Sequence, residues 1–200
     1  MFELARELPA ELVPLSWLLG VWEGSGVLAY RVDDDMREGE FGQRVVFTHD
    51  GGRQLHYTAS MWPLNGSVTG SPNYSEFGYW SLARPLGDAD PGPGLLPATA
   101  PARFTTADEV ETLRNDSGGF DIEVAILQEG GVSELYLGTV AGPRIDLGTD
   151  AVMRSASAKE YAAATRVYGL VDGHLLWAWD IAALGLELQT HASGRLARVD

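Results

Sequence analysis

Four histidines are the side chains best suited to bind a metal or move a proton near neutral pH: His49, His56, His174 and His191. No two of them sit at the spacing of a zinc ligand pair. The chain has no cysteine, which removes disulfides, thiolate nucleophiles, cysteine-ligated zinc and iron–sulfur clusters together. A serine hydrolase elbow is also missing, since Gly24-Ser25-Gly26 is in the wrong frame and in a strand pattern. The acidic stretch Asp33–Glu40 lacks the spacing of a calcium loop and reads as a solvated polar turn. His49 precedes a turn, His56 alternates with Leu55 and Tyr57 on an outer face, and His174 follows the hairpin residues Asp172-Gly173, so all three read as surface or rim residues. His191 too reads, on its residues alone, as an ordinary strand histidine at the rim of a sheet; the competing reading is that its neutral imidazole gives a lone pair to a transition metal.

His191 lies in Leu186–Leu196, which reads as the closing strand of an all-β chain. Strict alternation groups it with Ser193 and Arg195 on a polar face and sets Ala192, Gly194 and Leu196 opposite. An inward His191 therefore requires a bulge or a loop just before the strand proper. The neighbouring strand offers the partner wall: Leu175, Trp177, Trp179 and Ile181 share one face while Asp180 points away. Four bulky residues on one face imply a roomy interior or a large apolar ligand.

The elements that must position these groups are mostly strands. Gln43–His49 and Gln54–Trp62 alternate across the turn Asp50-Gly51-Gly52, and Glu76–Ala83 follows. The segment with Ile122, Val124, Ile126 and Gln128 on one face turns at Gly130-Gly131 into Ser133–Val140, and Ala162–Leu170 pairs with Leu175–Ile181. Leu12, Leu15, Leu18 and Leu19 make residues 9–19 a short helical segment, limited by Pro14, that would cap one end. Prolines and glycines between Pro85 and Gly119 predict an irregular, mobile insertion, with a short strand inside Phe104–Leu113. About ten closely spaced strands with no βαβ rhythm predict an antiparallel up-and-down β-barrel, one domain over residues 1–200, with a β-sandwich as the structural rival.

Formal charge is −14, from 14 basic and 28 acidic residues. A nucleic acid would be repelled by that surface, so the reading excludes it as a partner. No apolar run reaches transmembrane length and the N-terminus lacks a basic region followed by an apolar one, which predicts a cytoplasmic protein with no membrane partner.

Gly20-Val-Trp22-Glu-Gly24-Ser-Gly26 carries a GxWxGxG pattern, preceded by Pro14-Leu-Ser-Trp-Leu-Leu. With Val46-Phe-Thr-His49, Tyr57–Leu64, Arg166–Leu175 and Leu188-Gln-Thr-His191, this ordered set resembles the nitrobindin family over nearly the whole chain outside residues 85–119. The resemblance implies a ten-stranded barrel similar to fatty-acid-binding proteins. It implies one haem b per chain, usually ferric, its iron ligated by His191, and reaction with nitric oxide and peroxynitrite, the latter isomerised to nitrate. Family pocket positions fall on Tyr74, Gln128 and Ile181, with Trp177 and Trp179 as bulky walls. Thr190 stands where the family commonly has proline. The resemblance leaves room for a homodimer. The alternative function is a non-catalytic carrier for a fatty acid or other apolar ligand, in which Arg166 or Tyr168, if inward, would hold a carboxylate.

Overall fold

The computed structural model describes residues 7–32, 35–64 and 73–199. Ten strands run in chain order: β1 (Gly20–Val32), β2 (Asp35–Thr48), β3 (Leu55–Pro63), β4 (Tyr74–Leu82), β5 (Phe120–Gln128), β6 (Val132–Ala141), β7 (Arg144–Arg154), β8 (Tyr161–Val171), β9 (His174–Ala183) and β10 (Gln189–Arg198). Each pairs antiparallel with its sequence neighbours, and β1 pairs with β10 to close the barrel. Closure follows from the period-two pattern. On β5, for example, Ile122, Val124 and Ile126 are buried while Asp121, Glu123, Ala125 and Leu127 are exposed, so one face is apolar and must turn inward.

One end of the barrel is stoppered. The N-terminal segment Ala10–Leu18 is a 3-10 helix, and Leu12, Leu15 and Leu18 are fully buried in the barrel core. Spacing by threes suits a helix with about three residues per turn, because every third side chain falls on one line. Trp22 of β1 ties strand to stopper by donating from Nε1 to the Leu18 carbonyl at 2.7 Å.

The segment between β4 and β5 departs from expectation. Phe104–Leu113 contains no strand; its regular part is a short helix, α1 (Ala107–Glu111), opened by a Thr106/Glu109 capping box. Nor is the insertion detached: Val110 and Phe104 are buried in the core, and α1 packs against the 3-10 segment. Arg84 links the two, donating to Glu11 at 2.6 Å and to Asp90 at 2.6 Å.

Three further boundaries differ. Asp35–Glu40 is strand, the long first half of β2, because a hairpin ladder with β1 satisfies its backbone; Asp33 and Asp34 lie outside the described residues. The closing strand starts at Gln189, and Leu186 and Leu188 sit exposed in the preceding loop. β7 has no counterpart among the strands read from sequence. Its inward set is thin, Ile145 and Leu147 followed by Thr149, and a register shift at Asp150 then breaks the alternation halfway. Among the described residues no helix is long and apolar enough to cross a membrane.

Candidate functional site

The barrel end opposite the stopper holds a cavity of about 510 Å³. Its walls come from the matching ends of the strands: Leu28 of β1, Phe41 of β2, Met61 of β3, Tyr74 of β4, Tyr161 of β8, Trp179 and Ile181 of β9, and His191 of β10.

His191 reaches this wall through a defect in the ladder. Thr190 pairs with Asp180 and Ala192 with Trp179, so His191 is an extra residue on β10, a β-bulge. The bulge lets both His191 and Ala192 line the cavity, while Leu196 further along keeps the inward phase. β10 is held close by the glycine motif. A side chain at Gly24 or Gly26 would run into the β10 backbone, at the carbonyls of Arg195 and Ser193 respectively.

Burial and two neighbours define the imidazole. Burial pulls its pKa below the ordinary histidine value, and a hydrogen bond with the Ala29 backbone works the other way. Its ring meets Trp179 edge-on, with centroids 5.3 Å apart. A neutral imidazole that spends its N–H on a carbonyl carries its lone pair on the other nitrogen, the arrangement a transition-metal ligand needs.

Below the cavity the barrel is filled by a buried polar network. Arg166 donates to both oxygens of Glu76 at 2.7 and 2.8 Å, and to Tyr136 Oη at 3.0 Å. Tyr57 and Tyr74 also donate to Glu76. Burial pushes Glu76 up, but the charge of Arg166 and the hydrogen bonds from Arg166, Tyr57 and Tyr74 outweigh it and hold the carboxyl below its usual range. A second carboxylate, Glu134, receives Tyr136, Tyr161 and Gln128. The guanidinium lies 4.4 Å from the Trp179 ring centre, so the indole separates network from cavity.

The expected site residues therefore divide. His191, Ile181, Trp179, Gln128 and Tyr74 are brought together around the cavity. Trp177 is a correction: it shares the inward face of β9 but lies deeper, against Phe41, with its Nε1 donating to Gln43 at 2.8 Å. Gln128 lines the cavity with its amide already committed to Glu134. His49, His56 and His174 stay outside, bonded or stacked with Gly51, Tyr79 and the Asp172 carbonyl. Arg166 and Tyr168 do point inward, yet Arg166 is saturated by Glu76, so no cation is free there to clamp a fatty-acid carboxylate. Sequence reasoning missed Ala29, Tyr161 and the pairing of Glu76 with Arg166. Arg166 did carry a signal, since it alternates in phase with the inward Ala164 and Tyr168.

The residues fit a haem. The cavity is largely apolar and falls within the range of small-molecule sites. One wall offers a half-buried imidazole whose burial lowers its pKa and so favours the neutral form. Trp179 lines the cavity with a buried Nε1 that has no partner.

Comparison with known proteins agrees with that chemistry. Residues 11–198 match the family described as THAP4-like, heme-binding beta-barrel domain. The chain is 60% identical over 200 residues to a peroxynitrite isomerase of Leifsonia xyli subsp. xyli, covering all of both chains. It is equally, at 60% over 200 residues and all of both chains, similar to a peroxynitrite isomerase of Clavibacter michiganensis subsp. michiganensis. A crystal structure of Rv2717c from M. tuberculosis superposes with a TM-score of 0.68 at 26% identity, over 98% of this chain and 100% of that one. A barrel closed over a histidine-walled cavity, matched from stopper to last strand, makes this chain a member of the THAP4-like haem-binding β-barrel family.

Proposed function

We propose that the chain is a haem-dependent peroxynitrite isomerase, holding one haem b with His191 as the protein ligand to iron. The observation that carries the reading is the bulge that sets His191, edge-on to Trp179, on the wall of an apolar cavity, where burial favours its neutral form. The full-length relatives named peroxynitrite isomerase support it. When bound, ferric haem supplies a Lewis-acidic iron to which a peroxynitrite oxygen or nitric oxide can bind. The protein's part is positional. His191 would fix the iron to one wall, Trp179 would set the plane of the imidazole, and Leu28, Phe41, Met61 and Ile181 would keep water from fragments that must recombine to nitrate. The test is stopped-flow decay of peroxynitrite with nitrate and nitrite measured at the end. Haem-loaded protein should speed decay and raise the nitrate share; equal decay and equal product with the His191→Ala protein plus haem would end the proposal.

We also propose that two copies pair through the outer face of β3 to β7. Thr58, Phe77, Leu127, Ser133 and Met153 stand in one row across these strands, and His56, Tyr79, Ala125, Leu135 and Ala151 in the next. Neither row holds an Asp, Glu, Lys or Arg, on a chain of net charge −14, and Phe77, Tyr79 and Leu127 are each more than half exposed. Two such chains repel wherever acid meets acid, so an uncharged face is where copies can approach. Sedimentation should give a dimer that Leu127→Glu dissociates; a wild-type monomer at all concentrations would refute it.

A further inference from the structure

The chain has seven tyrosines, and two of them, Tyr74 and Tyr161, line the cavity. Each is bonded to a buried carboxylate: Tyr161 donates to Glu134 at 2.6 Å and Tyr74 to Glu76 at 3.2 Å. Glu134 and Glu76 are 3% and 0% exposed. A phenol that loses an electron becomes a strong acid and has to lose its proton in the same event. A carboxylate at hydrogen-bond distance is the base that event requires. At rest, burial and the neighbouring carboxylates push both phenols above their ordinary pKa, so each keeps its proton. Trp179 lines the same cavity, but its buried N–H has no acceptor, so an oxidised indole there has no local outlet for a proton. Tyr57, Tyr136 and Tyr168 are buried beneath the cavity, and Tyr79 is 53% exposed on the outside of the barrel.

We propose that Tyr161 and Tyr74 form an interception site for nitrogen dioxide set free in the cavity, reducing it to nitrite and becoming nitrated themselves. The inference rests on the peroxynitrite reading, because homolysis of the peroxynitrite O–O bond is the source of that radical. One nitrogen dioxide takes an electron from the phenol and leaves as nitrite, while the phenolic proton passes to Glu134 or Glu76. A second nitrogen dioxide forms a C–N bond at the ring carbon next to the hydroxyl-bearing one. That carbon loses its hydrogen as a proton, the ring regains aromaticity, and the oxygen regains a proton. In sum, one tyrosine and two nitrogen dioxide give one nitrotyrosine, one nitrite and one proton. Tyr161 is the first target, having the shorter hydrogen bond.

Interior nitration is the opposite of what exposure dictates, and that makes it testable. Haem-loaded protein is given repeated small additions of peroxynitrite, and peptide mass spectrometry locates the nitro groups. The label should fall on Tyr161 first and Tyr74 second, several-fold above Tyr79, and Tyr161→Phe should raise the label on Tyr74. Protein without haem should be labelled chiefly on Tyr79. Label chiefly on Tyr79 in the haem-loaded protein, or no nitration at all, overturns the proposal. A wild-type protein that takes up no haem, seen in its absorption spectrum before any peroxynitrite is added, would strike the functional reading beneath it instead.

Discussion

At the scale of one residue, the requirement on His191 is that its lone pair stay free of protons. Burial lowers its pKa, so the folded chain binds fewer protons at this position than the unfolded chain does. Its contribution to stability is therefore present above the unfolded value of about 6.5 and is lost as pH falls through the lowered folded value. Haem binding needs the same neutral form. Titrations across pH should show an affinity that is flat from alkaline pH to about 6.5 and into the mildly acidic range, then falls about tenfold per unit once the imidazole protonates. A decline already under way above neutrality would show that the histidine is not shielded as its burial requires. Sequence alone could state the condition for an inward His191, a break in alternation, and the Thr190/Ala192 register shift is that break. It could not separate Trp177 from Trp179, because alternation gives the face of a strand and not the depth along the barrel.

At the scale of elements, β1 and β10 are one unit. The glycines of β1 let β10 pass closely, and the bulge in β10 then presents His191. Gly26→Val would drive a side chain into the Ser193 carbonyl and the Phe41 ring, which also lines the cavity. Overpacking of this kind costs about 1–3 kcal/mol. Urea unfolding should show that loss, and haem affinity should fall with it; an unchanged midpoint would mean the two strands have slack. Three glycines in a strand call for a tight bend, a bulge or a close backbone approach, and at Gly24 and Gly26 the close approach is the one that holds. β7 was not legible, since Gly148, Thr149 and Asp150 interrupt its apolar alternation and it is held by its neighbours' ladders. The helix at Ala107–Glu111 was hidden by its shortness, although Thr106 and Glu109 spell a capping box.

At the scale of the molecule, the barrel is divided along its axis into a stopper, a charged middle and an open apolar chamber. The middle separates this chain from a simple lipid carrier, because Arg166 and Glu76 answer each other and leave only the upper half for a ligand. Removing one partner strands a buried charge. Arg166→Met should cost about 3–5 kcal/mol in urea unfolding, and adding Glu76→Gln should recover much of it. Two independent, additive losses would mean the pair is not coupled. The all-β closure and the capped end followed from the strand count and the leucine spacing. The charged middle did not, because Glu76 and Arg166 are ninety residues apart in sequence and meet only when the barrel closes.

Optical titration of the wild-type and His191→Ala proteins with ferric haem tests the iron-ligand assignment most directly. The wild type should develop a sharp Soret band that saturates at one haem per chain, and the variant should leave haem with the broad spectrum it has in buffer. A variant that gives the wild-type band with undiminished affinity would contradict the role given to His191 and move the iron to another wall.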